Sequence, residues 1–141
     1  MDIMTPAERS AMMSRIRGAD TKPELFVRRA LHAMGYRYRT HVRELPGSPD
    51  LVFTKRHAAI FVHGCFWHRH GCRKTYFPKT RQEFWHKKFE GNVKRDRRNQ
   101  KLLSDAGWSV LVLWECEVEN DDTLLGRTVD FLGPPRIVHG E

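Results

Sequence analysis

No run of apolar residues in this 141-residue chain approaches the ~20 residues that a transmembrane helix needs. The first ten residues, MDIMTPAERS, lack the apolar core of a secretory signal peptide. Internal repeats, low-complexity runs and Gly/Ser linkers are also missing. These absences argue against a membrane or secreted protein. We expect a cytoplasmic protein whose single domain, residues 1–141, buries a core without disulfides.

Cysteine is scarce. The three cysteines occur as Cys65-x4-His70-x-Cys72 and, far along the chain, as Cys116. In the cytosol we expect these thiols to be ligands, catalysts or packing residues rather than disulfides. Three thiolates and one imidazole are surroundings that zinc prefers, and four protein ligands would leave it no open position. Such a zinc would be structural and would pin the loop to the next strand. The alternative is a buried Cys116 and two incidental thiols.

Acidic residues are scarce in the middle of the chain. Residues 73–101 contain eleven Lys/Arg against three Asp/Glu, and residues 1–43 contain nine against four. Residues 102–141 reverse the balance, with two basic against eight acidic residues, and the net charge is +8. This asymmetry favours a polyanion such as nucleic acid bound on one face. The alternative is a solvated basic surface that keeps the protein soluble.

Three helices are expected to begin at capping boxes, in which a threonine precedes a glutamate by three residues. The boxes are Thr5-Pro6-Ala7-Glu8, Thr21-Lys22-Pro23-Glu24 and Thr80-Arg81-Gln82-Glu83. The first helix runs towards Arg17, and the second ends at Gly35. The third reaches Ala106 and is ended by Gly107. At this stage it could be one continuous helix or two helices that meet at Gly91-Asn92. The apolar face of the second helix would consist of Phe26, Ala30, Ala33 and Met34.

Strands are predicted from two patterns, the alternation of apolar with polar residues and short runs of apolar residues. A half-buried strand would carry Tyr36, Tyr38, Thr40 and Val42. After the turn ELPGSPD, two central strands, Leu51–Phe53 and Ala58–Val62, would form a hairpin around Lys55-Arg56-His57. Trp108–Trp114 would be a buried strand running into Cys116, followed by a helix over about residues 122–132. The order α-α-β-β-β-α-β-α predicts a mixed sheet with helices on its faces, an α/β fold.

One carboxylate, Asp50, begins the strand that follows the turn. Near a histidine-bearing loop it is a candidate oxygen ligand for Mg²⁺. Hydrolysis of a phosphodiester needs a metal that lowers the pKa of a water and neutralises charge, and it benefits from a histidine base. His63 and His68 are candidates for that base or for additional zinc ligation. Taken alone, Asp50 also fits a turn-capping role.

Three stretches resemble the very short patch repair (Vsr) DNA mismatch endonucleases: PGSPDLVF, IFVHGCFWHRHGC and TRQEFWHKKFEGNVKRDRRNQKLLSDAGWSVLVLWEC. The resemblance runs from about Arg9 to Cys116, and the HGCFWHxHxC core is specific to that family. It implies a restriction-endonuclease-like fold of the PD-(D/E)xK superfamily, with a mixed central sheet, flanking helices and a structural zinc. Residues 1–20 would form a DNA-contacting helix, and residues 117–141 a divergent C-terminal helix and tail.

Carried over residue by residue, the resemblance assigns the reaction. The catalytic residues would be Asp50, His63, His68, Asp96 and Glu24. Asp50 and the backbone of Val62 would hold Mg²⁺, and His68 would activate water. Asp96 would orient His68, His63 would act near the phosphate, and Glu24 would support the site. The implied structural zinc ligands are Cys65, His70, Cys72 and Cys116, in agreement with the count of thiols and imidazoles.

The resemblance also assigns DNA contacts. Phe66 and Trp67 would form an aromatic wedge beside the mismatch, and Met13 would be inserted from the N-terminal helix. Apolar side chains between base steps kink the duplex, which costs least where pairing is already defective. Without the resemblance, Phe66 and Trp67 would be interpreted as core residues. Among the basic residues, the candidate DNA-binding positions are Arg15, Lys94, Arg95, Arg97 and Arg98. The last three, on the basic helix, are candidate phosphate contacts, with a solvated helix face as the alternative.

Two positions depart from the family pattern. The acidic-x-Lys half of the superfamily motif is absent around Phe61-Val62-His63, so the histidines must replace it. Val62 stands where a family member has threonine, and the metal site survives this change if only the backbone carbonyl takes part.

The implied activity is Mg²⁺-dependent nicking of one DNA strand 5′ of the thymine in T:G mismatches, which arise from deamination of 5-methylcytosine. The implied partner is double-stranded DNA with that mismatch. We expect a nucleoid-associated, prokaryotic monomer, with other mismatch-repair proteins as candidate partners. The alternative is a zinc-stabilised module that binds distorted duplex without cutting it. A zinc deaminase is disfavoured because the zinc would be fully ligated and the deaminase signature is missing.

Overall fold

The protein is described by a computed structural model over residues 21–72 and 77–135, the side chains of Phe66 and Trp67 excepted. The first predicted helix, with Met13 and Arg15, lies outside the described residues. Within the described ranges, no helix combines the length and the apolar character that crossing a membrane requires.

Four strands in the described part of the chain form one mixed sheet in the order β1-β2-β3-β4. They are β1 Arg39–Thr40, β2 Leu51–Phe53, β3 Ala58–His63 and β4 Ser109–Trp114. β2 is antiparallel to both of its neighbours, β1 and β3, whereas β3 and β4 are parallel. The helices are α1 Lys22–Ala33, α2 Cys65–His68, α3 Gln82–Asp105, α4 Glu115–Asn120 and α5 Leu124–Leu132. The predicted α/β architecture with a mixed sheet is confirmed.

The hairpin of β2 and β3 brings polar residues to one end of the sheet. A 3-10 turn over Thr54–Arg56 joins the strands, and His57 closes it in the left-handed conformation. β3 then pairs with β4 in a register that places His63 beside Trp114. Both residues therefore lie at the carboxyl ends of parallel strands, the end at which α/β sheets commonly carry their binding sites.

The hydrophobic core lies between one face of the sheet and two helices. Successive residues of a strand face opposite sides, so Ala58, Ile60 and Val62 share the core face. The core consists of Val27, Leu31, Tyr36, Leu51, Phe53, Ala58, Ile60, Val62, Leu113, Leu124 and Leu132. Phe61 lies on the other face, close to Asn99 of α3.

The buried face of α1 differs from the predicted one. Phe26 and Met34, assigned to the buried face, are 49% and 38% exposed. The residues that are buried instead are Glu24, Val27 and Leu31. The prediction was wrong because the buried face contains a charged residue. Arg28 and His41 pair with the Glu24 carboxylate there, which makes its burial tolerable.

Two strand predictions also need correction. The strand expected over residues 36–42 is reduced to Arg39–Thr40, because His41 adopts a left-handed φ of 49°. The strand expected to be buried begins at Ser109 and is mostly half-buried, with Leu113 fully buried. It leads into the short helix α4, which the sequence did not predict and which contains Cys116.

The long helix α3 begins one residue later than its predicted capping box requires. Its N-cap is Arg81, in the left-handed conformation and without a side-chain cap, instead of Thr80. The Arg81 guanidinium lies over the Phe84 ring, 4.4 Å from its centroid, which holds this first turn by a cation–π contact. The helix continues unbroken through Gly91 and Asn92. The Thr21 box of α1, by contrast, forms as predicted, with Thr21 accepting from the Glu24 N–H.

Candidate active site and metal centres

A cleft of about 270 Å³ opens between the carboxyl end of β3 and the helix α3. It brings together four of the predicted catalytic residues, Asp50, His63, His68 and Asp96. The backbone segment at Val62 also lines it. The fifth predicted residue, Glu24, lies outside the lining. The cleft is also lined by His41, Asn99 and Gln100, which the sequence did not single out.

Asp50 is held at the start of β2 and is only 7% exposed. Its Oδ2 accepts a 2.6 Å hydrogen bond from the Val62 N–H. Burial raises the pKa of this carboxyl to about 7, against the opposing effect of that hydrogen bond. A buried carboxylate is costly unless opposite charge compensates it. The site therefore fits a divalent cation facing Asp50, since an ion would supply the missing charge.

Glu24 is fully buried and contacts His41, which in turn lies beside Asp50. The Glu24 Oε2 atom lies 2.9 Å from Arg28 Nη1 and 2.8 Å from His41 Nε2. The other ring nitrogen of His41, Nδ1, lies 3.7 Å from Asp50 Oδ1. Ligand atoms of Glu24, His41 and Asp50 all lie within 4.8 Å of one another, so this group could hold a metal ion.

His68 and Asp96 form a hydrogen-bonded pair across the cleft, with His68 Nδ1 2.5 Å from Asp96 Oδ2. A carboxylate only accepts hydrogen bonds, so the proton lies on Nδ1. Nε2 of His68 is then left as an acceptor. This is the arrangement in which a carboxylate fixes the tautomer and the orientation of a histidine base.

His63 stacks on His68, with ring centroids 3.8 Å apart and an interplanar angle of 6°. Burial, together with the adjacent His68, lowers the pKa of His63 to about 3, against the opposing effect of the Asp96 carboxylate. His63 is therefore neutral at pH 7. Its Nδ1 is buried and has no hydrogen-bond partner among the described residues. A neutral imidazole with an unsatisfied buried nitrogen is suited to bind a substrate or a water in the cleft.

The loop before β2 reaches the cleft through a close contact at Gly47. A Cβ atom there would lie 3.1 Å from both the Asn99 Cβ and the Phe61 ring, and the backbone φ is +79°. Glycine meets both requirements, the left-handed backbone and the lack of space. Asn99 and Gln100 follow Asp96 by about one turn of α3, which is why they share its face. That spacing could have identified them once Asp96 had been chosen.

A second group of ligand atoms contains all three cysteines and His70. These atoms all lie within 4.8 Å of one another. His70 Nδ1 is 3.3 Å from the sulfur of Cys116 and 3.6 Å from that of Cys65. The His70 ring also stacks on Trp114, with centroids 4.3 Å apart. The structure therefore brings the four predicted zinc ligands together.

The chemistry of this thiol cluster (Cys65, His70, Cys72, Cys116) fits zinc. Burial raises the pKa of the Cys65 and Cys116 thiols. A bound cation would favour the ionised form of these adjacent thiols. Three sulfurs and one imidazole nitrogen match the tetrahedral set of a structural zinc site.

Arg69 separates the thiol cluster from the cleft. It ends α2 in the left-handed conformation, with φ 55° and ψ 56°, so that His68 and His70 point to different groups. Its guanidinium lies over the Phe89 ring of α3, 3.9 Å from the centroid. This contact ties the turn to the same helix that carries Asp96.

The proposed phosphate contacts on α3 lie on its exposed side. Lys94, Arg95, Arg97 and Arg98 are all exposed. Lys94 pairs with Glu90 at 3.0 Å, an exposed pair worth little in stability. Phe66 and Trp67 lie in α2, but their side chains are outside the described part of the structure.

Comparisons with known proteins give one consistent answer. Residues 1–74 match the family model described as DNA mismatch endonuclease Vsr. The chain is 44% identical over 133 residues to the type II nicking enzyme V.XorIIP of Xanthomonas oryzae pv. oryzae, covering 94% of this chain and 98% of that protein.

Two further relatives agree with this. Identity to the DNA mismatch endonuclease Vsr of Escherichia coli K12 is 41% over 123 residues, covering 87% of this chain and 79% of that protein. Identity to the type II nicking enzyme V.NmeAIP of Neisseria meningitidis is 42% over 119 residues, or 84% of this chain and 85% of that protein. On its sequence similarity and on the family model that covers its first half, the chain belongs to the Vsr family of DNA mismatch endonucleases.

Proposed function

We propose that this protein nicks one strand of double-stranded DNA 5′ of the thymine in a T:G mismatch, and so initiates very short patch repair. Family membership supports DNA as the substrate. Relatives named as nicking enzymes support cleavage of a single strand. The observation that carries the proposal is the oriented His68–Asp96 pair in the same cleft as Asp50.

Asp50 and the Val62 backbone would hold Mg²⁺, with Glu24 supporting Asp50 from behind. When bound, the ion supplies charge neutralisation at the phosphate and a lowered pKa for a water. The Val62 side chain belongs to the hydrophobic core. Valine in place of threonine therefore leaves the polar atoms of the cleft unchanged.

His68 is the proposed general base. Its Nε2 accepts the proton of the attacking water, and the Asp96 carboxylate stabilises the imidazolium that results. His63 stays neutral and offers a ring N–H to the phosphate, so it adds no second positive charge beside His68. The rings of Phe61 and Trp114 contact His63, and apolar surroundings of this kind strengthen the electrostatic interactions that it makes.

A zinc held by the thiol cluster would take no part in the reaction, because four protein ligands would leave no position for water or substrate. Met13, Phe66 and Trp67 are proposed to enter the base stack at the mismatch. The exposed basic residues of α3, together with Arg15, are proposed to contact phosphates.

The proposal is tested by a nicking assay on matched and mismatched duplexes in several sequence contexts, with and without Mg²⁺. We expect one cut, 5′ of the thymine, in the T:G duplex only when Mg²⁺ is present. Binding of each duplex is measured in parallel. Tight binding of the T:G duplex without any nicking would support a non-catalytic mismatch-binding module and overturn the proposal.

A further inference from the structure

Three side chains lie in a row beside the cleft: Glu24, His41 and Asp50. The proposed reaction gives no role to the middle one, His41. Glu24 is fully buried, and its carboxylate lies 2.8 Å from His41 Nε2. The opposite ring nitrogen of His41 lies 3.7 Å from Asp50 Oδ1. His41 itself lines the cleft, and its side chain is 30% exposed there.

The ring of His41 lies between two carboxylates. The 2.8 Å approach of Nε2 to Glu24 is an ion-pair contact that does not meet hydrogen-bond geometry, and Nδ1 is the ring nitrogen that lies towards Asp50. A histidine placed between a carboxylate and a metal, with one ring nitrogen towards each, is a recurrent arrangement in metal sites. Arg28 completes the support by pairing with Glu24 at 2.9 Å.

The backbone at His41 adopts an unfavourable conformation. Its φ of 49° is left-handed, which is uncommon for a residue other than glycine. Its N–H donates to the Asp50 carbonyl at 3.3 Å, so the two residues are joined through the main chain as well. Strained backbone that is retained beside a cleft commonly positions a functional side chain.

We propose that His41 is a nitrogen ligand, through Nδ1, of the divalent cation held by Asp50. A nitrogen ligand raises the affinity of the site for first-row transition cations, of which Mn²⁺ is the probe used below, relative to its affinity for Mg²⁺. The inference rests on the proposed role of Asp50 as a cation ligand. Mg²⁺ takes oxygen ligands almost exclusively, whereas affinity of nitrogen-containing sites rises from Mn²⁺ along the first transition series.

The test measures metal binding directly on the zinc-loaded, full-length protein. Mn²⁺ binding is followed by electron paramagnetic resonance, and pulsed measurements detect coupling to a ligand nitrogen. Mg²⁺ affinity is obtained by competition against Mn²⁺. The test variant is His41→Gln, whose amide keeps a donor for Glu24 and supplies oxygen in place of nitrogen. The matched control is His57→Gln, which replaces another histidine with left-handed backbone, located at the far end of β3.

We expect His41→Gln to remove the nitrogen coupling and to weaken Mn²⁺ binding about tenfold, while Mg²⁺ binding changes less than about threefold. His57→Gln should match the wild type in both measurements. Nitrogen coupling that persists in His41→Gln, or equal losses for the two ions, would overturn the inference.

Asp50→Asn separates this inference from the proposed function. If Asp50→Asn abolishes binding of both ions while His41→Gln changes nothing, the His41 proposal fails and the proposed metal site stands. If Asp50→Asn leaves binding of both ions intact, the proposed metal site fails, and the His41 proposal fails with it.

Discussion

The thiol cluster and the cleft lie near the same end of β3 and β4, but their metal-ligating atoms differ: mainly sulfur in the cluster, and oxygen and nitrogen in the cleft. The thiol cluster offers three sulfurs and one nitrogen within 4.8 Å, a number that closes a tetrahedron. The cleft offers carboxylates and imidazoles along its walls and keeps about 270 Å³ of space between them. The difference fits the roles proposed above, in which the thiol cluster maintains the fold and the cleft leaves room for a substrate.

The largest effect is expected from opening the thiol cluster. Cys116→Ala should lower the free energy of unfolding by about 3 kcal/mol or more, because a structural zinc contributes directly to folding. Both DNA binding and nicking should fall with it. Thermal unfolding and the zinc content of the purified variant provide the measurement. A variant that lacks zinc yet unfolds like the wild type would show that the cluster does not maintain the fold.

In the cleft, Asp50→Asn should greatly reduce nicking and leave DNA binding nearly unchanged. We expect nicking of the T:G duplex to fall by about a thousandfold or more, because the cation loses its charged ligand. Affinity for the duplex should change less than about threefold, since the DNA contacts proposed for α3 and for residues 1–20 do not involve Asp50. Equal losses of binding and nicking would place Asp50 in a structural role like that of Cys116.

A smaller effect is expected for the residue that orients the base. Asp96→Asn should slow single-turnover nicking about 10- to 100-fold, because the amide no longer selects the productive tautomer of His68. Asp105→Asn is the matched control, since this aspartate is on the same helix and makes an exposed pair with Lys101. Equal rates for the two variants would remove Asp96 from the mechanism.

The ionised form of Asp50 is the one that the proposed activity needs, but it should lower the free energy of unfolding. Its pKa is raised from 3.8 to about 7 in the folded protein, so the folded state binds more protons than the unfolded chain between these values. The stabilising contribution of the protonated carboxyl is complete below pH 4 and is lost as the pH rises through 7.

Asp50→Asn should therefore exceed the wild type in unfolding free energy at pH 8 by about 1–3 kcal/mol in Mg²⁺-free buffer. The advantage should shrink at pH 4 and on addition of Mg²⁺. Denaturant unfolding at both pH values measures it, and an advantage independent of pH would contradict the assignment.

The smallest effect is expected at Val62. Its side chain is 6% exposed and belongs to the core, and only its N–H is seen to bond Asp50. Val62→Thr should leave the nicking rate within about twofold and cost about 1–2 kcal/mol through burial of a hydroxyl. A large gain in nicking would mean that a hydroxyl takes part at this position.

The two sites also differ in how far the sequence could predict them. Three ligands of the thiol cluster occur within one short segment, so their spacing and chemistry predicted the group. The cleft depends on the fold, because Asp50 and Asp96 meet only through the packing of α3 on the sheet. The residue-level interpretation left Asp50 open to a turn-capping role, and the family resemblance supplied Asp96.

The features that were missed share a physical cause. Hydrophobic periodicity assigned the wrong face to α1, because it treats Glu24 as a surface residue and takes no account of the pairing that permits its burial. The left-handed backbone at His41 and Arg81 shortened one strand and moved one helix boundary. Such conformations depend on contacts distant in sequence, which local patterns do not encode.

The left-handed turn at Arg69 restricts how this protein can change in length. His68 and His70 are separated by this single residue, and each belongs to a different group of ligands. Gain or loss of one residue there would disrupt both groups at once, whereas substitutions elsewhere can alter one and spare the other. Insertions between residues 63 and 72 should therefore be poorly tolerated. A chimaera that borrows either centre from a relative should exchange this segment as a single block.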